Sequence, residues 1–249
     1  MSGELVSLRL LLVAAEPAHA ALWRESIAQA SVPIEFDACD APAARAALKK
    51  GGVDICVMDD GLDDADKASV IAAARAKEPE PLVFVSGPRG SARPDNIDGT
   101  LAKPADLIDA RKAVEICIRA RLPTRVLIVD DSATMRSIVR KILAASRFDL
   151  DIHEAAESGA AFGQLRNGNF AVVFLDYNMP GLNGADILAA IKRASAQVAV
   201  VMMTTAVDKD APVRPHLAGT LAFLKKPFFP ADVDRVFELF YGLRERDAS

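Results

Sequence analysis

The chain has 249 residues, a formal net charge of −4 and a pI near 5.5, with 51% hydrophobic and 26% charged residues. That length suits two ordinary domains of roughly 100–150 residues better than one large one. No apolar run approaches the roughly 20 residues that span a bilayer, and the acidic balance is the wrong sign for binding a phosphate backbone, so neither membrane nor nucleic acid is expected as a direct partner.

Along the chain, the first apolar run is Leu8–Val13, a buried strand by its length. Met1–Leu12 has Arg9 as its only basic residue and no small-residue cleavage pattern, so a cytoplasmic protein without a secretory signal is expected. An alanine-rich helical stretch, Ala41–Lys49, leads to a second strand, Val53–Met58, ending at Asp59. Asp59, Asp60, Asp63, Asp64 and Asp66 do not follow the spacing of a calcium loop and predict a solvated acidic turn. A helix over Lys67–Lys77 and a strand at Leu82–Val85, followed by Ser86, come next. Gly87–Gly99 is too short and too rich in Gly and Pro for a normal helix, so a loop is expected there. Leu101-Ala102-Lys103-Pro104 precedes a helix reaching about Arg121, which Pro123 terminates. Arg119–Thr124 is therefore the expected boundary between domains at 1–120 and 125–249.

The second half repeats this order. Val126–Val129 is a strand followed by Asp130 and Asp131. Ala133–Leu143 carries Met135, Ile138, Val139 and Ile142 at steps of three and four, predicting an apolar stripe with Arg136, Arg140 and Lys141 on the far side. Helices are expected at Ala160–Arg166, Ala185–Ala194 and Ala231–Leu243, and strands at Phe170–Leu175, ending on Asp176, and Val198–Met203, ending on Thr204. Pro212 and Pro215 interrupt Asp208–Leu217, so the fourth helix of this half should be short or displaced. Leu224-Lys225-Lys226-Pro227 answers the lysine-proline pair of the first half. Short buried strands alternating with helices imply right-handed βαβ units and a parallel sheet covered on both faces, so the fold class is α/β, two doubly wound domains in tandem. Cys39, Cys56 and Cys117 show no CxxC spacing, and His19, His153 and His216 are scattered, which predicts free thiols and no Cys/His metal site.

Ligands of an open parallel sheet bind beyond the carboxyl ends of its strands. In the second half Asp130, Asp131, Asp176, Thr204 and Lys226 all fall there. Three carboxylates with one lysine need a cation, because like charges a few ångströms apart disfavour one another's ionisation. Mg²⁺, a hard ion that takes carboxylates, carbonyls, waters and phosphoryl oxygens, fits that need.

Over Arg125–Leu243, the runs Val129-Asp130-Asp131-Ser132-Ala133-Thr134-Met135-Arg136, Leu175-Asp176-Tyr177-Asn178-Met179-Pro180-Gly181-Leu182-Asn183-Gly184 and Lys225-Lys226-Pro227-Phe228 together resemble the receiver domains of two-component response regulators, most closely the stand-alone chemotaxis type. The resemblance implies two flavodoxin-like domains with five-stranded parallel sheets. It implies Asp176 as phosphoacceptor, served by a histidine kinase or histidine phosphotransferase, and Mg²⁺ held by Asp131, Asp176 and the Asn178 carbonyl, with Asp130 acting mostly through water. It further implies Lys226 pairing with the acceptor carboxylate and then with the phosphoryl group, and Phe223 as a rotating switch aromatic. The switch hydroxyl is Thr204 or Thr205; spacing to Lys226 favours Thr204. Such a protein is not an enzyme beyond its own phosphorylation and dephosphorylation. It would switch contacts with a protein target or a second copy of itself, with no DNA-binding or enzymatic output expected after the last helix. A phosphate sink or relay intermediate is the alternative.

Laid on this pattern, the first half keeps Asp59, Ser86 and Lys103 but has Ala14-Ala15 in place of the acidic pair, and Thr100 at the aromatic position. Glu16 is the nearest substitute acid. Leu8–Ala120 is thus expected to be a degenerate receiver with a structural, regulatory or partner-binding role.

Overall fold

The computed structural model describes residues 7–14, 17–88, 93–179, 184–205 and 219–244. The chain divides into two compact units: Met1–Arg121 together with Tyr241–Ser249, and Leu122–Phe240. The C-terminal residues from Tyr241 therefore group with the first unit, whereas the sequence boundary assigned all of 125–249 to the second.

The first unit runs β1 (Leu8–Val13), α1 (Pro17–Ile27), β2 (Ile34–Cys39), α2 (Ala41–Lys50), β3 (Ile55–Asp59), α3 (Asp64–Arg75), β4 (Leu82–Gly87), β5 (Gly99–Ala102) and α4 (Leu107–Arg121). Its strands form a parallel sheet in the order β2-β1-β3-β4-β5. Local chemistry fixes the helix starts. Asp40 caps α2 by accepting from the Ala43 amide, and Asp63 caps α3 by accepting from the Asp66 amide. Gly51, at φ 88°, ends α2 in a conformation that side-chain-bearing residues avoid. Leu11, Val13, Cys56, Met58, Val83 and Val85 form one apolar face of the sheet, against Leu48 of α2 and Val70 and Ala74 of α3. Cys39, Cys56 and Cys117 are free thiols, and burial pushes the Cys56 thiol up to about 12.

Among the described residues no helix joins β4 to β5, as the composition of Gly87–Gly99 suggested. The end of this connection is held by an ion pair. Asp98, whose side chain is fully buried, bonds Arg75 of α3 at 2.7 Å and accepts from the Val83 amide at 2.6 Å. Arg75 also bonds the carbonyls of Asn96 and Pro81. Removing one partner of such a pair leaves the other uncompensated. Asp98→Ala should therefore destabilise the first unit by about 3 kcal/mol, and Asp98→Asn by less, because the amide oxygen still accepts from Val83. Urea unfolding read on Trp23 checks this, since the single tryptophan is buried in α1 of this unit.

The second unit runs β6 (Thr124–Val129), α5 (Ala133–Ala144), β7 (Leu150–Ala155), α6 (Ser158–Asn167), β8 (Val172–Asp176), α7 (Gly184–Ala194), β9 (Ala199–Thr204), β10 (Ala222–Lys225) and α8 (Pro230–Tyr241), the last residue of which is counted with the first unit. The sheet order is β10-β9-β8-β6-β7, again parallel. Both units therefore share one flavodoxin-like order, with the first strand between the second and third. Leu127, Val129, Val173, Leu175, Val200 and Met202 pack with Ala161 of α6 and with Ile187, Leu188 and Ile191 of α7. The expected α5 stripe is buried only in part, with Met135 and Ile142 half-buried. Val139 and Leu143 are buried, while Ile138 is 44% exposed. The interruption by Pro212 and Pro215 lies outside the described residues.

Candidate functional site

The strands of the second unit deliver its polar residues to one edge. Asp130 directly follows β6, Asp176 closes β8, Thr204 closes β9 and Lys226 directly follows β10. Backbone hydrogen bonds continue just past the strand ends: Asp130 N–H donates to Ala155 O, Tyr177 N–H to Met203 O and Lys226 N–H to Thr204 O. The sheet itself thereby fixes the backbone around Asp130, Asp176, Thr204 and Lys226.

Asp130 is fully buried. Its Oδ1 accepts from the Ser132 amide at 2.9 Å, and its Oδ2 from Lys226 Nζ at 2.7 Å. Ser132 in turn caps α5, its hydroxyl accepting from the Met135 amide, so the acidic turn and the helix start are one structure. Lys226 Nζ lies 3.2 Å from Asp176 Oδ1, and both side chains are largely buried. Asp131 is exposed at the rim. One oxygen each from Asp130, Asp131 and Asp176 lie within 4.8 Å of one another. Three carboxylates face one ammonium, an excess of negative charge made of hard oxygen donors, which fits a divalent cation of the Mg²⁺ type.

The remaining sequence-predicted residues sit around this cluster. Thr204 is half-buried, and Thr205 is exposed with its hydroxyl 3.3 Å from the Asn178 amide nitrogen. Asn178 is exposed on the loop after β8, and Phe223 of β10, level with Met202, is 41% exposed. Arg136, expected on the outer face of α5, instead turns toward the acidic pair. Its Nη1 donates to the carbonyls of Asp130, at 2.8 Å, and Asp131, at 3.3 Å.

A profile of the response regulator receiver domain matches residues 126–238. The chemotaxis protein CheY of Pseudomonas aeruginosa is 32% identical over 124 residues, which cover 47% of this chain and 99% of that protein. The chain belongs to the response regulator receiver family. A second receiver relative, chemotaxis protein CheY-3 of Vibrio cholerae, is 33% identical over 120 residues, covering 46% of this chain and 92% of its own. A solved structure described as a two-component system response regulator/GGDEF domain protein aligns over 94% of this chain and 99% of its own at a TM-score of 0.50 and 22% identity, a likeness of fold. No described helix of this receiver protein is long and apolar enough to cross a membrane.

The first unit carries the receiver fold with a differently built strand edge. Asp59 closes β3, paired in register with Ser86 of β4, and Lys103 directly follows β5. Asp60 N–H donates to Ser86 O and Lys103 N–H to Gly87 O, the same backbone device as in the second unit. Lys103 Nζ bonds Asp59 Oδ1 at 3.1 Å and Asp60 Oδ1 at 2.9 Å. Burial works to lower the lysine's pKa, but the bonds to Asp60 and Asp59 outweigh it and leave it raised. Asp59 Oδ1 also accepts from the Gly61 amide. At the end of β1 stands Ala14; Ala15 and Glu16 lie outside the described residues. Asp60 is thus no freely solvated turn residue as the sequence suggested. It is half-buried and supplies the second carboxylate that Asp130 supplies to Lys226. Thr100 donates its amide and hydroxyl hydrogens to the Leu243 carbonyl, at 3.0 and 3.2 Å, and buried Leu243 sits where a Cβ on Gly99 would fall.

Proposed function

We propose that the second unit is the working phosphoacceptor of a two-component signalling protein, and that Asp176 carries the phosphoryl group. The observation that supports this most is the convergence of Asp130, Asp131, Asp176 and Lys226 at one strand edge of a receiver fold. An Asp176 carboxylate oxygen attacks the phosphorus of a phosphohistidine or small acyl phosphate. The P–O bond to Asp176 forms as the bond to the leaving group breaks; a histidine leaves as imidazole, its nitrogen taking up a proton, whereas an acyl phosphate leaves its carboxylate as the anion. Asp131, Asp176 and the Asn178 carbonyl would hold Mg²⁺, with Asp130 supporting them. Held there, the ion would supply charge neutralisation to the transferring oxygens. Lys226, shared between Asp130 and Asp176, pairs with a phosphoryl oxygen after transfer, and the Thr204 hydroxyl donates to another. Thr204 is favoured over exposed Thr205 by its position at the last residue of β9, level with Lys225 beside the active-site lysine. Phe223 moves inward as Thr204 shifts, which changes the surface offered to a protein target.

The first unit is read as a degenerate receiver in which Asp59, Ser86 and Lys103 persist without accepting phosphate, leaving a structural or partner-binding role. Incubation with a small acyl phosphate should label the chain in Mg²⁺ and not in EDTA, and hydroxylamine should release the label as it does from any acyl phosphate. Label formed without a divalent ion, or stable to hydroxylamine, would sink the reading. With a histidine kinase as donor, a long-lived label supports a switch acting on a protein target. Rapid onward transfer to a histidine phosphotransferase would instead make the chain a relay intermediate.

A further inference from the structure

We propose that Arg136, anchored by Glu154, is a positioning residue that sets the Asp130–Asp131 turn for cation binding. This rests on reading the acidic cluster as the Mg²⁺ site. The bonds to the two successive carbonyls come from a single guanidinium nitrogen, Nη1. The same guanidinium's Nε lies 3.3 Å from Glu154 Oε2 on β7, the strand paired to β6, and the Arg136 side chain is only 16% exposed. Glu154 is itself fixed. Arg140, one turn further along α5, bonds its other carboxylate oxygen and also donates to the Ile152 carbonyl at 2.8 Å. The Gln164 side chain of α6 bonds the Glu154 carbonyl. The hydrogen bond from Arg140, foremost, and then Arg136 hold the Glu154 carboxyl below the usual carboxylate range, so the anchor is ionised at neutral pH.

The brace acts on backbone. Asp130 needs no help to stay in place, since Ser132 and Lys226 hold both of its oxygens. Asp131 is different: its side chain is exposed, and its orientation follows from the peptide on either side of it, the two whose carbonyls Arg136 grips. Electrostatics alone would act the other way, because a guanidinium beside the site repels a cation. Glu154 offsets that charge, leaving the geometric effect to decide the sign. Removing a group that orients a metal ligand typically weakens metal binding about 10- to 100-fold.

Mg²⁺ titration of the full chain by calorimetry tests this, with Asp131→Asn as the reference that identifies the site. Arg136→Ala should raise the Kd about tenfold, and Glu154→Gln should also raise it. Arg136→Lys, which keeps the charge and can still reach a carbonyl, should recover part of the loss. Thermal melts of the same variants confirm that the second unit is folded. Arg136→Ala binding as tightly as wild type, or more tightly, while Asp131→Asn loses binding overturns the brace alone. Wild-type binding that Asp131→Asn does not disturb overturns the site reading, and the brace with it.

Discussion

An Asp176→Asn chain should take no label from a small acyl phosphate in Mg²⁺, while an Asp59→Asn chain should be labelled to within about twofold of wild type. The two aspartates occupy the same place in the fold, each closing the third strand of its sheet and each facing a lysine beyond the fifth. What separates them is the charge around that pair. Lys226 divides itself between Asp176 and Asp130, and Asp131 adds a further carboxylate at the rim. On the proposed reading that excess negative charge would draw a divalent ion, and such an ion is what lets an anionic phosphoryl group approach a carboxylate. In the first unit Lys103 is divided between Asp59 and Asp60, the neighbour in sequence, and β1 runs into Ala14. Where the second unit has Asp130 and Asp131 the first has Ala14 and Ala15, so the ligands that would hold a divalent ion against a phosphoryl group approaching Asp59 are missing from the sequence at that place. Label persisting in Asp176→Asn, or lost in Asp59→Asn, would reverse this assignment of roles.

The central strands were legible because burial on both faces leaves little room for polar residues. Leu8–Val13 was read residue for residue, and Leu82–Val85 and Val198–Met203 fell within a residue or two of β4 and β9. The second strands were not read. Ile34–Cys39 and Leu150–Ala155 lie at sheet edges, where Glu35 and Asp37 in one and Asp151, His153 and Glu154 in the other break up the apolar residues, so neither gives the signal of a fully apolar run. At the site, residues lying one after another beyond strand ends were visible as motifs. Two features were not. Asp60 looked like one more acid in an acidic turn, and only its distance to Lys103 marks it as part of the strand-edge cluster. Arg136 looked like the polar face of an amphipathic helix. Its engagement depends on Glu154, which sits on β7 beyond the loop that follows α5, and no periodicity within α5 encodes that contact. Ile138 errs in the opposite sense, because a helical stripe fixes a face only to within about one residue width.

Lys226→Met should lower the stability of the second unit by about 3 kcal/mol in EDTA, and Mg²⁺ should restore most of it. Met keeps the length of the aliphatic stem, so the change removes charge more than volume. Lys226 and Asp130 have side chains only 7% and 1% exposed, at 2.7 Å, which is the setting in which deleting one partner strands the other. Without the ammonium, Asp130 is left buried within reach of Asp131 and Asp176, and all three repel. A bound divalent cation then does the neutralising that the lysine did. At about 100 times its Kd it contributes roughly 2.7 kcal/mol, close to the deficit. The variant should therefore bind Mg²⁺ more tightly than wild type while losing the phosphoryl contact that Lys226 would make. Hydrogen exchange of the β6 and β8 amides reads the second unit, and Trp23 fluorescence serves as the internal control for the first. If charge is the cause, the double variant Asp130→Asn/Lys226→Met should recover much of the stability in EDTA, because the most buried carboxylate is then neutral. A Lys226→Met chain as stable as wild type in EDTA would show that the lysine does not balance the acidic cluster.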